Sequence, residues 1–166
     1  MSTPPTAAEV IAKLELEPLP GEGGYFRQTY IVHGPDGHPA TTAILFLVSP
    51  DSWSGLHRLV GDELFHAHLG DSCQMVVLNP DGDLIHHRIG RDLQSGDQVQ
   101  VLVAGNSWQG TMLVPGGEHG WALLGTTMTP GYRQDQFELA SARDLAGLPD
   151  IIRDELEPFL APDSTS

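Results

Sequence analysis

Short apolar and β-branched segments, each followed within a few residues by Gly, Pro, Asn or Asp, restrict the folds open to this chain. Turn residues of this kind separate strands, and short strands at even spacing are typical of a β-sandwich or β-barrel. The sequence therefore predicts an all-β domain. The predicted strands are 25–32, 41–48, 54–59, 63–69, 74–78, 84–89, 99–103, 108–114 and 121–128.

Helices are predicted only near the two ends. Thr6 followed by Glu9 has the pattern of a capping box. Residues 145–160 predict one or two short helices broken by proline. A chain of 166 residues fits a single domain. We place this domain at 6–160, with disordered segments at 1–5 and 161–166.

The charge balance restricts the partners. Acidic residues outnumber Lys and Arg by 22 to 8, which gives a net charge of -14. Such a surface repels phosphate backbones and anionic bilayers, so neither nucleic acid nor a membrane is expected as a partner. The single cysteine, Cys73, cannot form an internal disulfide, which suits a reducing compartment. Because the first residues also lack the features of a signal peptide, we expect a cytoplasmic protein.

His57, Leu59 and Glu63 form the most informative pattern, and Gly70 closes the turn after them. Residues at i and i+2 face the same side of a strand, and an imidazole and a carboxylate pointing into a barrel make an open site. The pattern resembles the first motif of cupins, which carries a second His at the position of Leu59.

A second cupin motif, Pro-x-Gly-x-x-His, is matched at 103–108, where Trp108 replaces the His. An alternative match at 114–119 ends in His119. We prefer the first match because the spacing of the following strand fits it better. The two motifs then supply two ligands, whereas zinc and iron sites generally use at least three from the protein. We therefore expect no cofactor.

A divalent metal is the alternative, and it depends on strand register. If Glu63 faces the barrel interior, Phe65 and Ala67 face it too, and His66 and His68 lie on the opposite face. A shift of one residue would turn both His side chains inward as metal ligands. We expect the unshifted register.

The chain is similar to the cupin-5 family, a cupin domain of unknown function, from about residue 9 to residue 140. The resemblance is carried by residues 22–30, 56–63, 104–109 and 130–139, in that order. It implies a cupin double-stranded β-helix, or jelly-roll, barrel with short terminal helices. It also implies a homodimer and no agreed activity. The resemblance adds Tyr132 and Glu138 to the candidate site.

A fainter resemblance links residues 24–28 and 55–57 to the sugar-nucleotide 3,5-epimerases of the deoxyrhamnose pathway. In those enzymes a His removes a proton next to a carbonyl without a metal. The resemblance implies that His57 is such a base and that Phe26 and Gln28 line the substrate. The epimerases hold phosphate with Arg residues near these segments, at positions where this chain has Gly23 and Ser54. A small neutral or weakly charged substrate is therefore favoured.

The most favoured function is a metal-independent isomerase or epimerase acting on a small carbonyl or sugar-like compound. His57 would be the general base, and Glu63 or Tyr132 would orient it or return a proton. Phe65 and Trp108 would form an aromatic floor for the substrate. The alternatives are a metabolite-binding cupin without catalysis and a metal-dependent, dioxygenase-like cupin enzyme.

A homodimer is also expected from the strands themselves. Strands 25–32 and 41–48 are apolar, and an exposed apolar edge of this kind favours pairing with a second copy.

Overall fold

Two antiparallel sheets face each other in this protein, whose computed structural model describes residues 3–161. One sheet has six strands in the order β1-β2-β3-β10-β5-β8, and the other has five in the order β11-β4-β9-β6-β7. Within residues 3–161, strands β1 to β11 are Glu17–Pro18, Tyr25–His33, Pro39–Val48, Ser54–Leu59, Asp62–Gly70, Cys73–Leu78, Leu84–Ile89, Gln100–Val103, Trp108–Leu113, Ala122–Thr129 and Phe137–Leu139. Helices α1 to α3 are Ala7–Leu14, Ala142–Leu145 and Asp150–Leu156.

The path of the chain is that of a jelly-roll barrel. From β3 onward, successive strands alternate between the two sheets, apart from the β6–β7 hairpin. The predicted all-β fold with short terminal helices is confirmed. All nine predicted strands are present with ends within two residues of those expected. The two shortest, β1 and β11, were not predicted because two or three residues carry no readable alternation.

The core lies between the sheets and is made by the alternate residues that point inward. Phe46, Phe65, Met75 and Leu124 are each at most 2% exposed, and they belong to one continuous cluster. Burying a side chain of this size contributes roughly 1.5–3 kcal/mol. The cluster fixes the register of the six-stranded sheet, because a slip of one residue in the strands that carry Phe46, Phe65 and Leu124 would turn these side chains outward.

The two ends of the domain are packed against the barrel. The predicted capping box of α1 is present, since the Thr6 hydroxyl accepts from the Glu9 amide at 3.3 Å and the Glu9 carboxylate accepts from the Thr6 amide at 2.8 Å. The Pro5 carbonyl accepts a hydrogen bond from Trp121 Nε1, and Ala161 is buried. Pro5 and Ala161 belong to the segments 1–5 and 161–166, which were expected to be disordered. Of the other residues in these two segments, the structure describes only residues 3 and 4.

No helix between residues 3 and 161 has the length and apolar character needed to cross a bilayer.

Candidate functional site

A pocket of about 80 Å³ lies between the sheets. Strands β2, β3, β5 and β10 form one wall and β4 forms the other. The apolar lining consists of Leu19, Phe26, Ile44, Phe46, Leu59, Phe65 and Met128. The polar lining consists of Glu22, Gln28, Thr42, His57, Glu63, Thr126 and Tyr132. A few polar groups on an apolar wall are the usual make-up of a small-molecule site.

His57 is held in one orientation by its own strand. The side chain is almost fully buried, and its Nδ1 lies 2.7 Å from the Gly55 carbonyl oxygen. A carbonyl only accepts hydrogen bonds, so Nδ1 carries the proton. A neutral His57 therefore presents an unprotonated Nε2, the form that a general base requires. The ring also stacks on Phe137 of β11, with centroids 5.3 Å apart.

Glu63 of β5 is the buried acid of the pocket. Burial raises the pKa of its carboxyl, and the neighbouring Glu22 raises it further, against the opposing effects of His57 and of hydrogen bonds from Thr126 and Gln109. Gln109 Nε2 donates to Glu63 Oε2 at 2.9 Å. Within the described chain, Gln109 Oε1 is buried without a hydrogen-bond partner. The raised pKa widens the pH range over which Glu63 is neutral and can donate a proton.

Tyr132 follows β10 and reaches the pocket from the loop. Its backbone amide donates to the Thr42 hydroxyl at 2.9 Å, which fixes the loop on β3. Its own hydroxyl donates to Gln134 Oε1 at 2.8 Å. Burial raises the pKa of Tyr132, and Glu22 and Glu63 raise it further, so the phenol keeps its proton.

Glu22 lies in the pocket although sequence reasoning did not select it as a site residue. Its Oε1 lies 3.8 Å from His57 Nδ1 and accepts from the Ser54 hydroxyl at 2.7 Å. Its backbone carbonyl accepts from the Gly55 amide at 2.8 Å. These two hydrogen bonds attach the turn before β2 to the strand that carries His57. The only sequence signal was its place at the start of the segment 22–30.

Two predicted substrate-binding residues lie elsewhere. Trp108 is half-buried on the five-stranded sheet, where the Arg58 guanidinium lies 4.5 Å from the centre of its ring. Glu138 of β11 accepts from Arg58 Nε at 2.7 Å and is exposed. Neither residue lines the pocket, so the expected floor of Phe65 and Trp108 is not formed. Because Arg58 points away from His57, the partners of Arg58 lie on the opposite face of the sheet.

The register of β5 is the unshifted one. Phe65 is 2% exposed, and Ala67 packs against the same core cluster. His66 and His68 lie on the outer face, with their rings stacked at 6.4 Å between centroids. His66 Nδ1 lies 3.2 Å from Gln100 Nε2 of the neighbouring strand. These two His side chains therefore do not join His57.

The side chains around His57 do not fit the metal centre of a metal-binding cupin. Leu59 puts an apolar side chain into the lining where such a cupin has an imidazole. The Glu63 carboxyl is engaged by Gln109. No cluster of three or more His, Cys, Asp or Glu side chains between residues 3 and 161 is arranged to hold a metal. We derive no chemical step through a metal.

His119, the ligand of the alternative motif match, lies in the loop after β9 and outside the pocket. Asp71 accepts hydrogen bonds from the backbone amides of His119 and Gly120, at 3.0 and 2.7 Å. His119 Nδ1 lies 3.1 Å from the same carboxylate. We call this arrangement the Asp71 latch, because it ties the loop to the turn between β5 and β6.

The jelly-roll barrel and its internal pocket define the cupin class. The chain belongs to the cupin-5 family, described as "Cupin superfamily (DUF985)", whose pattern matches residues 8–140.

Similar proteins are found in three organisms. The uncharacterized protein YML079W of Saccharomyces cerevisiae is 28% identical over an alignment of 129 residues, and the match covers 67% of this chain and 64% of the yeast protein. The chain therefore spans just under two thirds of this curated relative.

Two solved structures share the whole fold. Protein SO0799 from Shewanella oneidensis has a TM-score of 0.85 at 29% identity, covering 95% of this chain and 99% of that one. A hypothetical protein from Leishmania major has a TM-score of 0.83 at 27% identity, covering 94% and 99%.

Proposed function

We propose that this protein is a metal-independent enzyme that moves a proton between carbon atoms, or between the two faces of one carbon, in a small carbonyl compound. The resemblance to the 3,5-epimerases stays an expectation from sequence and does not carry this proposal. The observation that carries it is the hydrogen bond between His57 Nδ1 and the Gly55 carbonyl. That bond leaves Nε2 as the basic atom of a ring in the pocket lining.

His57 Nε2 takes the proton from the carbon next to the carbonyl. The electron pair of the broken C–H bond forms a C=C bond, and the carbonyl oxygen takes a proton from Glu63. Glu63, whose pKa is raised by burial, enters this step in its neutral form and leaves it charged. The charged Glu63 lies near the newly protonated His57, which offsets the cost of forming both ions in the pocket.

The reverse step decides the product. Return of the proton by His57 to the same face restores the substrate, while the enol hydroxyl gives its proton back to Glu63. Where the deprotonated carbon bears a hydroxyl, return of the proton to the neighbouring carbon gives an isomer, and that hydroxyl becomes the new carbonyl by giving its proton to Glu63. Delivery from Tyr132 to the opposite face would give an epimer, since the raised pKa keeps this phenol protonated. The enol hydroxyl gives its proton back to Glu63, His57 releases the proton that it took to solvent, and Tyr132 takes a proton from solvent beside its exposed partner Gln134.

Replacement of His57 by Asn tests the proposal. The variant keeps a polar side chain of similar size and loses the base, and general-base catalysis of this kind contributes on the order of 10²–10⁴-fold. We expect a loss of that order in the exchange of substrate C–H for deuterium, measured by NMR in D₂O with a panel of small carbonyl compounds. Ligand binding, measured by calorimetry, should remain.

His33→Asn is the matched control, because His33 is exposed at the end of β2. It should exchange at the wild-type rate. Equal exchange rates in His57→Asn and wild type would overturn the proposal. Saturable binding without any exchange in the wild type would instead favour a metabolite-binding cupin.

A further inference from the structure

The pocket has acidic side chains and no basic side chain other than His57. Its lining includes Glu22 and Glu63 but no Lys or Arg. Three Arg residues directly follow lining residues in the sequence, but each forms an ion pair outside the pocket. The pairs are Arg58 with Glu138, Arg27 with Glu15, and Arg133 with Asp135. A phosphate or carboxylate group on a ligand would therefore be desolvated beside like charge, with no guanidinium to bind it.

Two of the polar residues in the lining offer only acceptor atoms, while the neutral Glu63 carboxyl and the Tyr132 hydroxyl offer donors. The Glu22 carboxylate only accepts hydrogen bonds, and His57 presents Nε2 as an acceptor because Gly55 occupies Nδ1. Gln28 adds an amide that both donates and accepts. A ligand that satisfies these atoms must bring several hydrogen-bond donors of its own, as hydroxyl groups do.

The size of the pocket limits the carbon chain. A cavity needs about 10–15 Å³ for each water-sized group. At about 80 Å³, this pocket is several times that size, so it has room for a small molecule. A hydroxy carbonyl compound of three or four carbons, with six or eight non-hydrogen atoms, is a molecule of this kind.

We infer that the substrate is an unphosphorylated α-hydroxy aldehyde or ketone of three or four carbons. This inference rests on the proposed function. His57 Nε2 takes the proton from the hydroxyl-bearing carbon, Glu63 protonates the carbonyl oxygen, and an enediol forms. His57 then returns its proton to the former carbonyl carbon, while the hydroxyl on the other carbon gives its proton back to Glu63. The aldehyde and ketone interconvert without an oxidant or a co-reactant.

The experiment compares dihydroxyacetone and glyceraldehyde with their monophosphates. Binding is measured by calorimetry, and the exchange of C–H for deuterium is measured by NMR in D₂O against a protein-free control. We expect the neutral compounds to bind at least about tenfold more tightly than the phosphates, because like charges brought together in a site cost several kcal/mol. Binding of the phosphates as tight as that of the neutral compounds would overturn the inference, and so would binding of neither.

Gln28→Arg sharpens the comparison, since it adds a cation to the lining, and exposed Gln74→Arg on β6 is its matched control. Gln28→Arg should shift the binding preference toward the phosphates, and Gln74→Arg should leave it as in the wild type. Equal shifts in both variants would contradict the local charge argument. Neutral compounds that bind without deuterium exchange would overturn the proposed catalysis while leaving the ligand class intact.

Discussion

A single backbone position, Gly70, closes the strand that carries Glu63. Its φ of +85° lies in the left-handed region, and a Cβ there would lie 2.3 Å from the Trp121 carbonyl oxygen. Gly82 also has a positive φ, +91°, but a Cβ there would have no neighbour within 4 Å. Alanine substitutions at Gly70 and Gly82 therefore separate the cost of a left-handed backbone from the cost of steric crowding.

Gly82→Ala should lower the free energy of unfolding by about 1–2 kcal/mol, the cost of a left-handed alanine. Gly70→Ala should lower it by more, because the Trp121 backbone must also move. Urea unfolding of both variants measures the difference. Equal losses would show that the crowding at Gly70 is relieved at no cost.

Glu63 gives a second prediction at this scale, in which stability and activity change in opposite directions. Burial raises the folded-state pKa of Glu63 above its ordinary value of 4.5, so its contribution to stability is intact below pH 4.5 and is lost as the pH rises through the folded-state pKa. Glu63→Gln removes this loss. The variant should match the wild type at pH 4 and exceed it at pH 8 by about 1–3 kcal/mol, while losing deuterium exchange.

Denaturant unfolding at the two pH values measures the change, and Glu118→Gln in an exposed loop is the control. A variant less stable than the wild type at pH 8 would show that the Glu63 carboxylate is stabilised in the folded protein.

Residue spacing predicted part of the candidate site and missed the rest for a physical reason. His57 and Glu63 follow from strand alternation, which carries both side chains to the inner face. Glu22 sits in a turn, where no period relates sequence to direction, so its approach to His57 is set by tertiary hydrogen bonds alone. Trp108 was assigned through a motif position, and the register of β9 turns it outward instead.

At the scale of secondary-structure elements, the Asp71 latch connects the turn between β5 and β6 to the loop after β9. Burial would raise the pKa of Asp71, but hydrogen bonds from His119 and Gly120 outweigh it and leave the pKa below its ordinary 3.8. The latch therefore stabilises the fold above pH 3.8 and loses its contribution as the pH falls through the lowered pKa.

Asp71→Asn should cost about 1–3 kcal/mol of unfolding free energy at pH 7, since an amide accepts these hydrogen bonds less strongly than a carboxylate. The deficit should narrow on acidification below pH 3.8. Thermal unfolding measured at pH 7 and below pH 3.8 checks this. The control is Asp81→Asn in an exposed turn, which should be as stable as the wild type at both pH values. A deficit that is constant with pH would assign the effect to packing.

Strand positions were predictable because the barrel buries one face of most strands, which produces alternation or continuous apolar runs that can be read directly. The pairing order was not, since β10 lies between β3 and β5, far away in sequence. Long-range pairing of this kind depends on how the whole core closes, and the cupin resemblance predicted only the jelly-roll class.

At the scale of the whole molecule, we propose that two copies of the chain meet through the part of the outer face of the six-stranded sheet that α1 leaves open. Strands β2, β3, β5, β8 and β10 carry no Asp or Glu except Asp62 at the start of β5 and the inward Glu63. Tyr30 and Leu102 are 55% and 59% exposed on this face. In a chain of net charge -14, this is a face where two copies meet with little repulsion.

Size-exclusion chromatography with light scattering should give a dimer for the wild type and a monomer for Leu102→Glu. The matched control is Ile151→Glu on α3, where Ile151 is 75% exposed and faces away from this sheet surface. A monomeric wild type, or a dimeric Leu102→Glu, would exclude this interface.

Strands β4 and β9 each carry a glycine, Gly55 and Gly110, against which residues 159–161 pack. A Cβ on Gly55 would lie 2.7 Å from the Ala161 side chain, and one on Gly110 would lie 2.9 Å from Phe159. About 100 residues separate His57 from this cover, and a ribosome needs roughly 5–20 s to add them. A nascent chain therefore has no cover for the back of its His57 strand until residues 159–161 have been made.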